Sequence, residues 1–121
     1  AWAYKYDGSL GGIGTHCDDA QMQINFFITP TEANLFSKND SLPSGGLVLY
    51  GVGPPASWTY EKMNSIFESP EIDELLRSTG YWNVTVPYVQ NRAVLFDSTY
   101  FHKTDSMCFK PFACMRCGGG N

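Results

Sequence analysis

Histidine is scarce in this chain, with two in 121 residues, His16 and His102. Any imidazole chemistry has to use one or both of them. Charge is scarce as well: 17% of residues are charged, against about 25% in an average domain. The net charge is −4 and Lys38, Lys62, Lys103 and Lys110 are scattered, so there is no basic field to attract a phosphate backbone. Nucleic acid is therefore not an expected partner. No apolar run approaches the roughly 18 to 20 residues of a membrane span, and no signal-peptide pattern opens the chain. The reading is a soluble domain without a visible targeting segment. Apart from Gly118 to Gly120, repeats and low-complexity tracts are missing.

The length suits one domain with a real core. Aromatic residues reach 15%, which suits a sheet-rich fold. Met22, Ile24, Phe26 and Ile28 alternate with Gln21, Gln23, Asn25 and Phe27, the pattern of a half-buried strand ending at Thr29-Pro30. Residues 31–46 read as an irregular loop, and Leu47-Val-Leu-Tyr-Gly-Val resumes strand character. Residues 58–80 change to a helical pattern: Ser57 or Thr59 can cap one segment, and Ser69-Pro70-Glu71 starts another. Ile72, Leu75 and Leu76 give that second helix an apolar face, with Gly80 as its stop. Val84, Val86 and Tyr88 alternate, Gln90-Asn91-Arg92 reads as a turn, and Ala93 to Phe96 is a buried strand leading toward His102.

The chemistry-bearing constellation is His16-Cys17-Asp18 followed far downstream by His102. Two neutral imidazoles and a carboxylate can occupy one face of an octahedral iron(II) ion and leave three positions open. In extended backbone His16 and Asp18, at i and i+2, point to one side, while Cys17 points away into packing. A chance surface pair plus a core histidine is the plain alternative. Cys114-Met-Arg-Cys117 has zinc or redox spacing, but no second Cys-x-x-Cys accompanies it.

Four blocks in order, Gly14-Thr-His-Cys-Asp-Asp-Ala, Ile24-Asn-Phe-Phe-Ile-Thr-Pro-Thr-Glu-Ala-Asn-Leu, Ser44-Gly-Gly-Leu-Val-Leu-Tyr and Pro87-Tyr-Val-Gln-Asn-Arg-Ala-Val-Leu-Phe-Asp-Ser-Thr-Tyr-Phe-His-Lys-Thr-Asp, carry a family likeness. From about Gly11 to about Arg116 the chain resembles the catalytic half of 2-oxoglutarate/Fe(II)-dependent oxygenases, in their prolyl-hydroxylase-like branch. The resemblance implies a mainly β double-stranded β-helix, or jelly roll, with a helical insertion around residues 58–80. It implies Fe(II) held by His16, Asp18 and His102. It also implies 2-oxoglutarate with its distal carboxylate on a basic residue of the last strand, Arg116 or else Lys110, and Asn25 as a further hydrogen-bonding group. The implied activity is decarboxylation of 2-oxoglutarate coupled to hydroxylation of a protein, peptide or small molecule.

After Cys108-Phe-Lys-Pro the family's usual closing segment is replaced by Phe112-Ala-Cys-Met-Arg-Cys-Gly-Gly-Gly-Asn. The final strand is thus expected to be missing, and the chain to be part of something longer. A rival reading follows: a non-catalytic accessory or structural subunit of a larger assembly, with its aromatics forming an interface.

Overall fold

The structure is a computed structural model and describes residues 12–36, 43–65 and 68–110. It is mainly β, with antiparallel sheets and few helices. Strand β1, Gln23–Phe26, pairs with β4, Ala93–Phe96, and the two form one sheet. In the other, β2 (Leu47–Tyr50) lies between β3 (Asn83–Val86) and β5 (His102–Thr104). Successive strands thus alternate between sheets at three of the four connections, so the chain repeatedly crosses the space between them.

Strand β2 organises the layers because both of its faces are covered. Its sequence Leu-Val-Leu-Tyr is apolar at every position, the pattern of a strand buried on both sides. Leu47 and Leu49 pack with Val94, Phe96, Phe27 and Val86, and these contacts join the two sheets. Val48 and Tyr50 point the other way, onto Cys17, Ile72, Leu76 and Phe101. Ile72 and Leu76 belong to helix α2, Pro70–Ser78, and lie four residues apart on one face. The Ser69 side chain accepts the Ile72 N–H, Pro70 occupies the first turn, and Gly80 takes a positive φ of 63° just past the end. Helix α1, Tyr60–Ser65, places Met63 against the same cluster.

Three sequence expectations need correction. The apolar stripe Met22, Ile24, Phe26 and Ile28 does not face the core: Phe26 is 62% exposed and Ile28 74%. Gln23 and Asn25 point inward instead, because register sets them opposite the buried Phe96 and Val94, whereas Ile24 lies opposite Leu95, itself 64% exposed. Both strands carry apolar side chains outward, so alternation alone could not say which face of β1 is covered. Second, Ala93 to Phe96 is a strand as expected but only half-buried, with Ala93 and Leu95 exposed, and it does not run on to His102. β4 ends at Phe96, the chain turns through Asp97 to Tyr100, and His102 opens β5 in the other sheet. Third, the stretch read as irregular holds a 3₁₀ turn, Thr31–Ala33, and the buried Asn34, which bridges Phe109. The expected loss of the last strand falls on residues 111–121, outside the described residues.

Among the described residues no helix is long and apolar enough to cross a membrane. Truncating Leu76 should cost about 2 to 5 kcal/mol through lost burial and a residual cavity. Ile24→Thr on the exposed face should change stability by no more than about 0.5 kcal/mol and reduce self-association. Urea unfolding with light scattering on both variants checks the asymmetry.

Candidate metal centre

His16 and His102 are brought together by backbone pairing. They form an antiparallel bridge with hydrogen bonds in both directions, His16 N–H to His102 O at 3.0 Å and His102 N–H to His16 O at 2.8 Å. Directly opposed residues of such a pair project to one side. Their ring centroids accordingly lie 4.4 Å apart. His102 is also opposite Leu49 of β2, so both rings sit on the inter-sheet side. The Phe96 ring approaches His102 edge-on at 5.0 Å. Cys17 turns into the helix-side core, 3.3 Å from Met63 Sδ, and the next residue, Asp18, returns toward the histidines.

One donor atom from each of His16, Asp18 and His102 lies within 4.8 Å of the other two. The Asp18 carboxylate is 3.4 Å from His102 Nε2. A common ion bonded at about 2.1 Å needs neighbouring donors about 3 Å apart, so this pair is close to ligating distance.

The protonation pattern decides what the group can do. His102 Nδ1 is 2.9 Å from the Tyr100 carbonyl and His16 Nδ1 is 2.7 Å from the Gly14 carbonyl. A carbonyl can only accept, so each Nδ1 must carry the proton. In the neutral rings Nε2 then carries the lone pair. His102 is 3% exposed, and its Nε2 has no hydrogen-bond partner among the described residues. The 3.4 Å contact with Asp18 is long and poorly aligned for a hydrogen bond, and it is an ion pair only when Nε2 is protonated. With both rings neutral, a buried lone pair would face the part-exposed Asp18 carboxylate, and that is unfavourable unless a cation lies between them. The cation is either a proton on Nε2 or a metal ion. These residues fit a divalent metal: imidazole orientation set by backbone carbonyls is the usual outer support of a histidine ligand.

The surroundings favour a neutral His16 and an ionised Asp18. Burial pushes the His16 imidazolium below its ordinary pKa, against the raising effect of the Gly14 carbonyl. Hydrogen bonding from the His102 ring, which requires a proton on Nε2, holds the Asp18 carboxyl below the usual range, with burial opposing. Burial, with the Asp18 charge second, pushes the Cys17 thiol up to about 11.

Asn25 lies on the inner side of β1, half-buried beside Gln23, whose side-chain amide donates to it at 3.2 Å. Lys110 is exposed, and its backbone N–H is bonded to Ala33 O. Arg116, Cys114 and Cys117 lie outside the described residues. Sequence reasoning gave no role to the Gly14 and Tyr100 carbonyls, which orient the rings, nor to Ser98, whose carbonyl accepts the Asp18 N–H at 2.8 Å. The polar Asp97-Ser98-Thr99 within an apolar segment was the available signal.

No family model matches this chain, and no curated protein or solved structure matches it.

A buried thiol this weakly acidic should resist alkylation at pH 8. Mass-spectrometric mapping is expected to find Cys17 unmodified in the folded protein and modified in urea, with the half-buried Cys108 reacting earlier.

Proposed function

We propose that this chain is the metal-binding core of a 2-oxoglutarate/Fe(II)-dependent oxygenase-like domain built on a jelly roll. The reading is carried chiefly by one observation: the buried His102 Nε2, without a well-formed hydrogen bond among the described residues, lies 3.4 Å from the Asp18 carboxylate beside a second histidine oriented in the same way. Two facing antiparallel sheets, with connections that pass between them, agree with a jelly roll, though the five described strands are fewer than the about eight of a full one. The order of the four sequence blocks supplies the family.

His16 and His102 would hold the ion through Nε2 and Asp18 through its carboxylate. When bound, Fe(II) with 2-oxoglutarate supplies the oxidising power for hydroxylation of a C–H bond in a protein, peptide or small molecule. The chain's own residues do the positioning. Gly14 O and Tyr100 O fix the rings, and Phe96 and Leu49 exclude water behind His102. The amides of Gln23 and Asn25, on the inner face of β1, offer hydrogen bonds to a polar ligand in the inter-sheet space. Arg116, with Lys110 as the fallback, is assigned the distal carboxylate of 2-oxoglutarate, where a guanidinium would give a bidentate pair.

The rival reading, an accessory subunit of a larger assembly, has its own support in the outward apolar face of Met22, Ile24, Phe26, Ile28 and Leu95, since a patch of this kind marks an interaction surface.

The test is anaerobic titration of chelator-stripped protein with Fe(II) and 2-oxoglutarate, followed by succinate assay in air. Stoichiometric iron uptake is expected, abolished in His102→Ala and Asp18→Ala. Arg116→Ala should weaken 2-oxoglutarate binding by about 1.5 to 3 kcal/mol, the worth of a charge-assisted bond. Zinc that stays bound in His102→Ala would move the site to Cys114 and Cys117. No metal uptake at all would leave the accessory-subunit reading.

A further inference from the structure

The segment carrying the first two donors is fastened at three places. His16 is held by its bridge to His102, and Cys17 by packing in the helix-side core. The third fastening is a single residue, Ser98, which is fully buried. Its carbonyl accepts the Asp18 N–H at 2.8 Å, and its hydroxyl donates to the Ala20 carbonyl. One side chain and its own backbone thus grip both sides of Asp19, immediately after the carboxylate donor.

Ser98 is itself held in place. The Asp97 carboxylate accepts the Thr99 N–H at 3.0 Å and the Thr99 hydroxyl at 2.6 Å, closing a side-chain-stabilised turn that directs Ser98 inward. That turn connects β4 to β5, and so belongs to the segment that delivers His102. A buried hydroxyl costs free energy unless it is bonded, so an alanine would suit this place better if packing were all that mattered.

We propose that Ser98 is a positioning residue for the metal centre: it locks the Asp18 backbone to the loop preceding His102, so that the carboxylate and the two imidazoles keep one relative placement. This rests on the metal-centre reading given above. The hydroxyl does not touch the ion's place; it holds Ala20, and through that anchor it keeps the Asp18 N–H seated on the Ser98 carbonyl, a bond that Ser98→Ala leaves possible but no longer braced. Loss of such outer support typically costs 10- to 100-fold in metal affinity.

The experiment uses the full 121-residue chain and Co(II), whose visible absorption reports coordination. Ser98→Ala is expected to bind Co(II) about tenfold more weakly with an altered band shape, while Ser98→Thr, which keeps a hydroxyl, restores both. A merely structural role would lower stability and leave affinity and spectrum unchanged. Amide hydrogen exchange without metal gives an independent readout. In Ser98→Ala the Asp18 amide should exchange roughly an order of magnitude faster relative to the Tyr50 amide, which is bonded to Phe101 O in the core. Wild-type Co(II) affinity and spectrum in Ser98→Ala, or Asp18 exchange that moves in step with Tyr50, overturns the proposal. Should Ser98→Ala fail to fold, an unprotected Asp18 amide in the wild type overturns it without a variant. Co(II) uptake that His102→Ala does not reduce would overturn the metal-centre reading instead, and the exchange comparison would then decide alone whether Ser98 holds Asp18.

Discussion

The backbone pairing of residues 13–16 with β5 determines the arrangement of the site. Three hydrogen bonds secure it: Thr104 N–H to Ile13 O at 3.0 Å and the reciprocal pair between His16 and His102. The Thr104 hydroxyl adds a fourth by accepting the Ile13 N–H at 3.2 Å. Because side chains alternate along extended backbone, a slip of one residue would put Phe101 or Lys103 opposite His16. Register is protected from such a slip by Phe101, which is buried among Val48, Tyr50, Ile72 and Leu76 and has no comparable place on the other side. Core packing on one face of β5 thereby holds the imidazole on the opposite face.

The two faces of β2 divide the labour between stability and chemistry. The helix side is closed by α2 and by Phe101. The sheet side carries Leu47 and Leu49, and beyond Leu49 the histidines begin. Access is graded across the three donors. His102 is sealed behind Phe96, whereas the Asp18 side chain is 38% exposed. The more open side of the group is therefore the Asp18 side.

Legibility in the sequence followed the physics of each element. Strand β2 was readable because an apolar run bounded by glycines has few alternatives. Helix α2 was readable because Ser69, Pro70 and Gly80 mark its start and stop in terms of local hydrogen bonding and backbone freedom. His16, Asp18 and His102 stood out by residue type, and two histidines in the chain left no choice. The inward face of β1 was not readable, since the rule that apolar residues point inward assumes that a strand has one covered face and that the described fold covers it. Strand β5 was missed because its three residues, His-Lys-Thr, carry no apolar alternation and are strand only by virtue of pairing with β2 and with residues 13–16. Ring orientation by Gly14 and Tyr100 was equally hidden, as main-chain acceptors leave no trace in residue type.

The Ile13–Thr104 pairing joins residues 91 apart in sequence, and Ser98 reaches Ala20 across 78. Closing a chain segment of that length costs on the order of 4 kcal/mol beyond the constant term, and no local contact repays it in advance. Contacts of this separation form slowly, after the intervening strands have paired. On the ribosome the order is stricter still: the segment holding His16 and Asp18 is made before its partner and has none to pair with until the segment through Thr104 has followed. The three donors thus come together only after the roughly 90 residues between the two histidines' segments have been made and their strands have paired.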